Sequence, residues 1–134
     1  MKVFIVQPMH GKSMTEIEAA RRQIKLVVSM VYDEKIEEID QVHIPDDDIV
    51  KNMTGTQKRL FRLGRSIQML GSADLVIFAT DYSTAKGCRV EKFICEVYGI
   101  KYRSYDDIWK ELRSDPFKWS QFKYNTNVQY GMTY

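Results

Sequence analysis

The chain has 134 residues, with twenty Lys and Arg against eighteen Asp and Glu, for a net charge of +2. That length predicts a single domain, 1–134, with room for a real core. The near balance of charge speaks against an electrostatically driven nucleic-acid partner, which normally needs a strong basic excess. No apolar run approaches the roughly 20 residues that span a bilayer, so no membrane partner is expected. The N-terminus opens on a strand pattern rather than a secretory signal layout. The two cysteines read as free thiols in a reducing compartment. Cys88 and Cys95 fall seven apart on one expected helix, about 10 Å of rise, which is too far to bridge. The expected location is the cytoplasm.

Val3 to Gln7 reads as a fully buried strand, followed by the loop Pro8-Met9-His10-Gly11-Lys12. Ser13 with Glu16 three residues on forms a helix-start signature. The helix over 14–32 carries Ile17, Ala20, Ile24, Val27, Val28 and Val31 at helical spacing. A weaker second strand is expected over 36–44, ended by Pro45-Asp46-Asp47-Asp48. A second helix follows over 56–70, with Leu60, Leu63, Ile67 and Leu70 inward and Lys58, Arg59, Arg62 and Arg65 outward. The third strand is expected over 74–80. A third helix covers 86–98, with Val90, Phe93, Ile94 and Val97 expected to face the sheet. A fourth strand over 101–104 and a fourth helix over 106–112 complete the regular pattern. The tail over 114–134 is rich in aromatics and matches no clear periodicity; their density predicts packing on the domain or on a neighbouring subunit.

Strands alternating with helices predict an α/β fold: a three-layer α/β/α sandwich, flavodoxin- or Rossmann-like, with about four or five parallel strands. Right-handed crossovers predict the order 2-1-3-4. Strands one and three are then neighbours, and the loops 7–13 and 80–88 open onto one crevice at the topological switch point, where such sheets bind ligands.

The stretch Ala73-Asp74-Leu75-Val76-Ile77-Phe78 runs into the polar loop around Asp81 and Ser83, then Gly87 and Glu91. Glu91 is the expected catalytic carboxylate, placed in the first turn of a helix at a strand's carboxyl end. A carboxylate there also stabilises a helix without doing chemistry. Asp81 and Ser83 suit sugar hydroxyls, or plain turn chemistry. Gly11-Lys12-Ser13 is not a P-loop: that motif needs a glycine five residues before Gly11, where this chain has Val6. A glycine-containing loop entering a helix still favours anions. His10 is a candidate ligand contact. His10, His43 and the cysteines have no metal-ligand spacing, so no metal site is expected.

Phe4-Ile5-Val6-Gln7-Pro8-Met9-His10-Gly11 and Ala73–Phe78 with Gly87-Cys88-Arg89-Val90-Glu91 together resemble the signatures of the nucleoside 2-deoxyribosyltransferase-like family, its short, phage-like members above all. The resemblance covers most of 1–104. It implies that Glu91 attacks the anomeric carbon of a deoxyribosyl group, and that an acceptor base or water then releases the sugar. Gln7, Pro8, Met9, His10, Gly11, Lys12, Asp81, Ser83 and Gly87 would bind the nucleoside or its phosphate. No metal or organic cofactor is implied, and a homodimer or larger homo-oligomer is, with the terminal Tyr134 carboxylate a candidate to complete a neighbour's site. The chain departs from the family at Ser66, where an aspartate is usual, and at Ala85, where hydrolase members place a phosphate-binding serine. A serine cannot serve as an acid near neutral pH. The expected function is therefore glycosyl transfer or N-glycosidic hydrolysis on deoxynucleosides or their monophosphates. The alternatives are a non-catalytic nucleotide-binding module and a protein-interaction domain acting through the aromatic tail.

Overall fold

The computed structural model describes residues 1–40 and 47–130. Its elements are β1 (Lys2–Val6), α1 (Met14–Tyr32), β2 (Glu37–Glu38), α2 (Asp47–Val50), α3 (Gly55–Leu70), β3 (Leu75–Phe78), α4 (Lys86–Tyr98), β4 (Tyr102–Ser104), α5 (Tyr105–Ser114) and α6 (Pro116–Tyr130), with one 3₁₀ turn at Tyr82–Thr84. The four strands form one all-parallel sheet in the order β2-β1-β3-β4. The fold is the three-layer α/β sandwich that the strand and helix alternation predicts.

Local chemistry sets the helix ends. Ser13 Oγ accepts from the Glu16 backbone N–H at 3.2 Å and opens α1. Thr54 and Gln57 form a reciprocal capping box on α3, which satisfies two otherwise orphaned donors. Gly99, at φ 67°, closes α4 in the left-handed conformation that glycine adopts freely. Asp115 Oδ1 accepts from the backbone N–H groups of Phe117 and Lys118, both at 3.1 Å, with Pro116 at the first helical position of α6.

Strand alternation divides the core into two layers. Val3, Ile5, Leu75, Ile77 and Ala79 face Ile24, Val27 and Val28 of α1, Ile108 and Leu112 of α5, and Phe122 of α6. Phe4, Val6, Val76 and Phe78 face the other way, towards Leu70 of α3 and Cys88 and Cys95 of α4.

Five expectations need correction. The second strand is two residues, Glu37–Glu38, rather than 36–44; residues 41–46, including His43 and Pro45, lie outside the described residues. On α1, Ala20 is exposed, outside the buried stripe. Val90, Phe93 and Val97 do not face the sheet: they are 40, 61 and 59% exposed, and Cys88, Glu91 and Cys95 are the inward residues of α4. On α3, Leu60 is likewise 62% exposed, and Leu70 alone of its residues is buried. Phe4 and Phe78 rise from the strands into this layer, where Leu70, Cys88 and Cys95 join them and Ile67, Met69 and Ile94 pack against the cluster, so the inward face of α4 runs through Cys88, Glu91 and Cys95 and the opposite stripe turns outward. Finally, 116–130 is a helix that packs Phe122 fully into the core, in ring contact with Trp109 and Trp119 at 5.4 and 5.5 Å. Residues 131–134, with Tyr134, lie outside the described residues.

Candidate functional site

The carboxyl ends of β1 and β3 deliver two loops to one place. After β1, Gln7 and Pro8 are buried, and Met9 to Lys12 form a turn closed by a 3.2 Å bond from the Lys12 N–H to the Met9 carbonyl. Gly11 stands third in that turn at φ 77°, a conformation that favours glycine. The turn carries Lys12 across to the β3 loop, where its ammonium pairs with the Asp81 carboxylate. The expected convergence of the two loops is thus made by a specific ion pair spanning 69 positions of chain. Both partners are partly exposed, so the pair adds at most about 1 kcal/mol.

Glu91 lies on the inward face of α4, between Cys88 and Cys95. Because α4 begins at Lys86, Glu91 stands in its second turn, and the first turn of α4 holds no acidic residue. The reading of Glu91 as a first-turn carboxylate therefore falls, and with it the helix-dipole explanation, since that effect fades beyond the first turn. Glu91 is 7% exposed. Its Oε2 is buried and, among the described residues, has no hydrogen-bond partner. Burial alone pushes its carboxyl up from 4.5 to about 7, because water is withdrawn from the charged form. Arg89 does not offset this. It is exposed and donates to the Ser83 carbonyl at 2.7 Å.

The neighbouring thiols register the same field. Cys88 is pushed up to about 11, first by burial and then by the charges of Glu91 and Asp81, with Lys12 opposing. Lys12, Asp81 and Glu91 therefore all act on one side chain of the first turn of α4. Cys95 is also raised to about 11, by burial and then by Glu91 and Glu96. Both cysteines are free and buried, and their raised values are the opposite of the depressed value that marks a reactive thiol.

The remaining expected residues sort by exposure. Met9, His10, Gly11 and Ser83 are exposed around the mouth. Gly87 is half-buried, and a Cβ there would sit 3.6 Å from Leu63 Cδ1, an ordinary contact. Ala85 precedes α4 without offering a side-chain cap, which leaves first-turn N–H groups open towards the crevice.

Three supporting contacts escape sequence reasoning. Arg21 Nε donates to Gln7 Oε1 at 2.7 Å, and Arg21 is in turn 3.7 Å from Glu38, which also pairs with Lys25 at 3.0 Å. This network fixes the buried carboxamide at the end of β1. Thr80 Oγ1 donates to Asp106 Oδ1 at 2.7 Å, tying the exits of β3 and β4 together. Lys92 Nζ donates to the Tyr82 hydroxyl at 3.1 Å, and the Tyr82 ring packs edge-on against Phe78. Asp106 carries a usable signal, an acidic residue directly after a strand's carboxyl end; Arg21 and Lys92 carry none, since their partners are distant in sequence.

A separate groove of about 590 Å³ lies between the end of α1 and α6, lined by Ser29, Asp33, Phe117 and Tyr124 among others. It borders the C-terminal end of α1, while the crevice lies at the N-terminal end of this 19-residue helix, roughly 25 Å away along its axis. No cluster of His, Cys, Asp or Glu among the described residues has the arrangement of a metal site, and no helix among them is long and apolar enough to cross a membrane. No family model, curated protein or solved structure matches this chain.

Proposed function

We propose that this crevice cleaves the N-glycosidic bond of a deoxynucleoside or deoxynucleoside monophosphate, with Glu91 as nucleophile. The observation that carries the reading is the Glu91 carboxyl: buried, with no partner on Oε2 among the described residues, on the helix that follows the β3 loop. An unpartnered buried carboxyl is costly, and such cost is a usual mark of a working group.

In the proposed step a Glu91 oxygen bonds to the anomeric carbon. The electron pair of the glycosidic bond passes to the base nitrogen, and the departing base takes a proton from water, which the acceptor's proton replaces in the second step. An acceptor base or water, losing its own proton, then displaces Glu91 and frees the carboxylate. The transition state resembles an oxocarbenium ion, which a close carboxylate stabilises. Lys12 offers a cation to a 5′-phosphate and Asp81 an acceptor to a sugar hydroxyl, each by exchanging its partner in the ion pair for the ligand. The Gln7 carboxamide is held in place by Arg21.

A second reading, a module that binds a nucleotide without cleaving it, is favoured by Ser66, since a hydroxyl cannot manage the proton of a leaving base. Incubation with a panel of deoxynucleosides and their monophosphates, with and without an acceptor base, separates the two. Chromatography is expected to show base release or exchange in the parent protein and none in Glu91→Gln. Thermal stabilisation by a nucleotide with no product would support the module instead. Turnover unchanged in Glu91→Gln would remove the assignment.

A further inference from the structure

The groove between α1 and α6 presents no free charge among the described residues. Phe117, Ser120, Gln121, Tyr124 and Asn125 line it from α6. They recur at spacings of three and four and so share one helix face. Ser29, Met30 and Asp33 of α1 form the opposite wall. Asp33 is the one charged lining residue among those described, and Lys118 already neutralises it: Lys118 Nζ donates to Asp33 Oδ2 at 3.1 Å and to the Val31 carbonyl at 3.0 Å. The other cation of α6, Lys123, stands over the Trp119 ring. A phosphate, sulfate or carboxylate therefore finds no free cation here.

What the groove offers is neutral. The hydroxyls of Ser120 and Tyr124 and the amides of Gln121 and Asn125 hold no hydrogen bond among the described residues. Each of these groups both donates and accepts. Phe117 and Tyr124 are 70 and 68% exposed, two large rings left in water. They stand seven positions apart on one helix face, about 10 Å of rise. Side by side on one wall, they cannot close on both faces of a single flat ring. They form two platforms in a row, with Ser120 and Gln121 between them.

The matching ligand is an extended chain of ring units, each with an apolar face and an edge that donates and accepts. A pyranose has both: its C–H groups form the apolar face, and its hydroxyls are donors and acceptors at once. A single-stranded nucleic acid also offers rings in a row, but its phosphates need the cations that this groove lacks. The volume, about 590 Å³, lies in the range of small-molecule sites.

We propose that the groove between α1 and α6 binds a short neutral oligosaccharide, with alternate sugar rings stacked on Phe117 and Tyr124 and the ring between them bonded by Ser120 and Gln121. The groove is remote from the crevice, and the proposal does not rest on the glycosidic reading: either can fail while the other stands.

Nitrogen-15 spectra of the full chain, titrated with cellotetraose, maltotetraose and chitotetraose, test it, with a sulfated heparin tetrasaccharide as the charged control. At least one neutral sugar is expected to shift the side-chain amide signals of Gln121 and Asn125 saturably and to leave that of Gln7 in place. Phe117→Ala and Tyr124→Ala, with unchanged circular dichroism, are each expected to weaken binding about tenfold, the loss of one ring's contact. Val90→Ala, on the exposed face of α4, is expected to leave affinity unchanged. No saturable shift with any of the three neutral sugars at millimolar concentration would overturn the proposal. So would binding of the sulfated sugar alone, shifts confined to the crevice, or an affinity that survives the loss of both rings.

Discussion

The two sides of the sheet solve the same packing problem unequally. One side is covered by three helices, α1, α5 and α6, and sealed by interlocked rings: Trp109 lies edge-on to Trp119 and to Phe122, and Trp119 stacks on Phe122. The other side is covered by α3 and α4, of which α3 buries only Leu70 and α4 turns its bulkiest stripe outward. The first side spends its apolar residues on the core. The second contributes Leu70, two thiols and a carboxylate, with Ile67, Met69 and Ile94 partly buried, and leaves Leu60, Val90, Phe93 and Val97 exposed.

The largest expected effect lies on the sealed side. Phe122→Ala removes a fully buried ring and is expected to cost about 3–5 kcal/mol, read from urea unfolding. A cost below about 1 kcal/mol would mean that α6 does not seal the core as described.

Next comes the buried acid of the thin side. Its pKa is 4.5 in the unfolded chain and about 7 in the fold, so between those values the folded chain holds more protons. Stability therefore falls as pH rises through that window and levels off above 7. The full penalty is about 3 kcal/mol at 1.36 kcal/mol per unit. Glu91→Gln is expected to stabilise the protein by about 1–3 kcal/mol at pH 8, the amide's own desolvation taking the difference. The gain is expected to vanish at pH 4. Equal effects at both values, in paired unfolding curves, would place the carboxyl in water.

Gly11→Ala strains a positive-φ turn whose Cβ position is otherwise open space, so the cost is conformational, about 1 kcal/mol. It moves Lys12 with it, and ligand affinity measured by calorimetry is expected to fall more than stability. The smallest effect is Val97→Ser on the outer stripe. It is expected to change stability by less than about 0.5 kcal/mol in urea unfolding, and a larger loss would mean that Val97 packs inside the chain.

Much of the framework was legible because its signals are local. The start of α1 is read correctly from Ser13 and Glu16, the expected range 86–98 matches α4, and the order 2-1-3-4 follows from right-handed crossovers. The inward face of α4 was not legible. Hydrophobic periodicity selects Val90, Phe93 and Val97, and nothing local to the helix reports that Phe4 and Phe78 meet Cys88 and Cys95 instead. The same blindness hid α6, where the inward Phe122 and Thr126 sit among exposed Phe117 and Tyr124, so no clean apolar stripe exists. Glu91 was legible as a position at a strand's carboxyl end, but its burial depends on the same tertiary crowding. The pairing of Lys12 with Asp81 was legible only as two loops on one crevice.

The central claim is that the α4 side of the sheet holds a buried carboxyl whose Oε2 has no hydrogen-bond partner among the described residues and which burial pushes up to about 7. Its most direct measurement is a carbon-13 titration of glutamate side-chain carboxyls, with Glu91 assigned by the signal lost in Glu91→Gln. The account predicts one carboxyl with a midpoint near 7, well apart from the ordinary glutamates, and displaced when a deoxynucleoside monophosphate is added. A Glu91 midpoint near 4.5, unmoved by nucleotide, would contradict both the burial of this group and the site built on it.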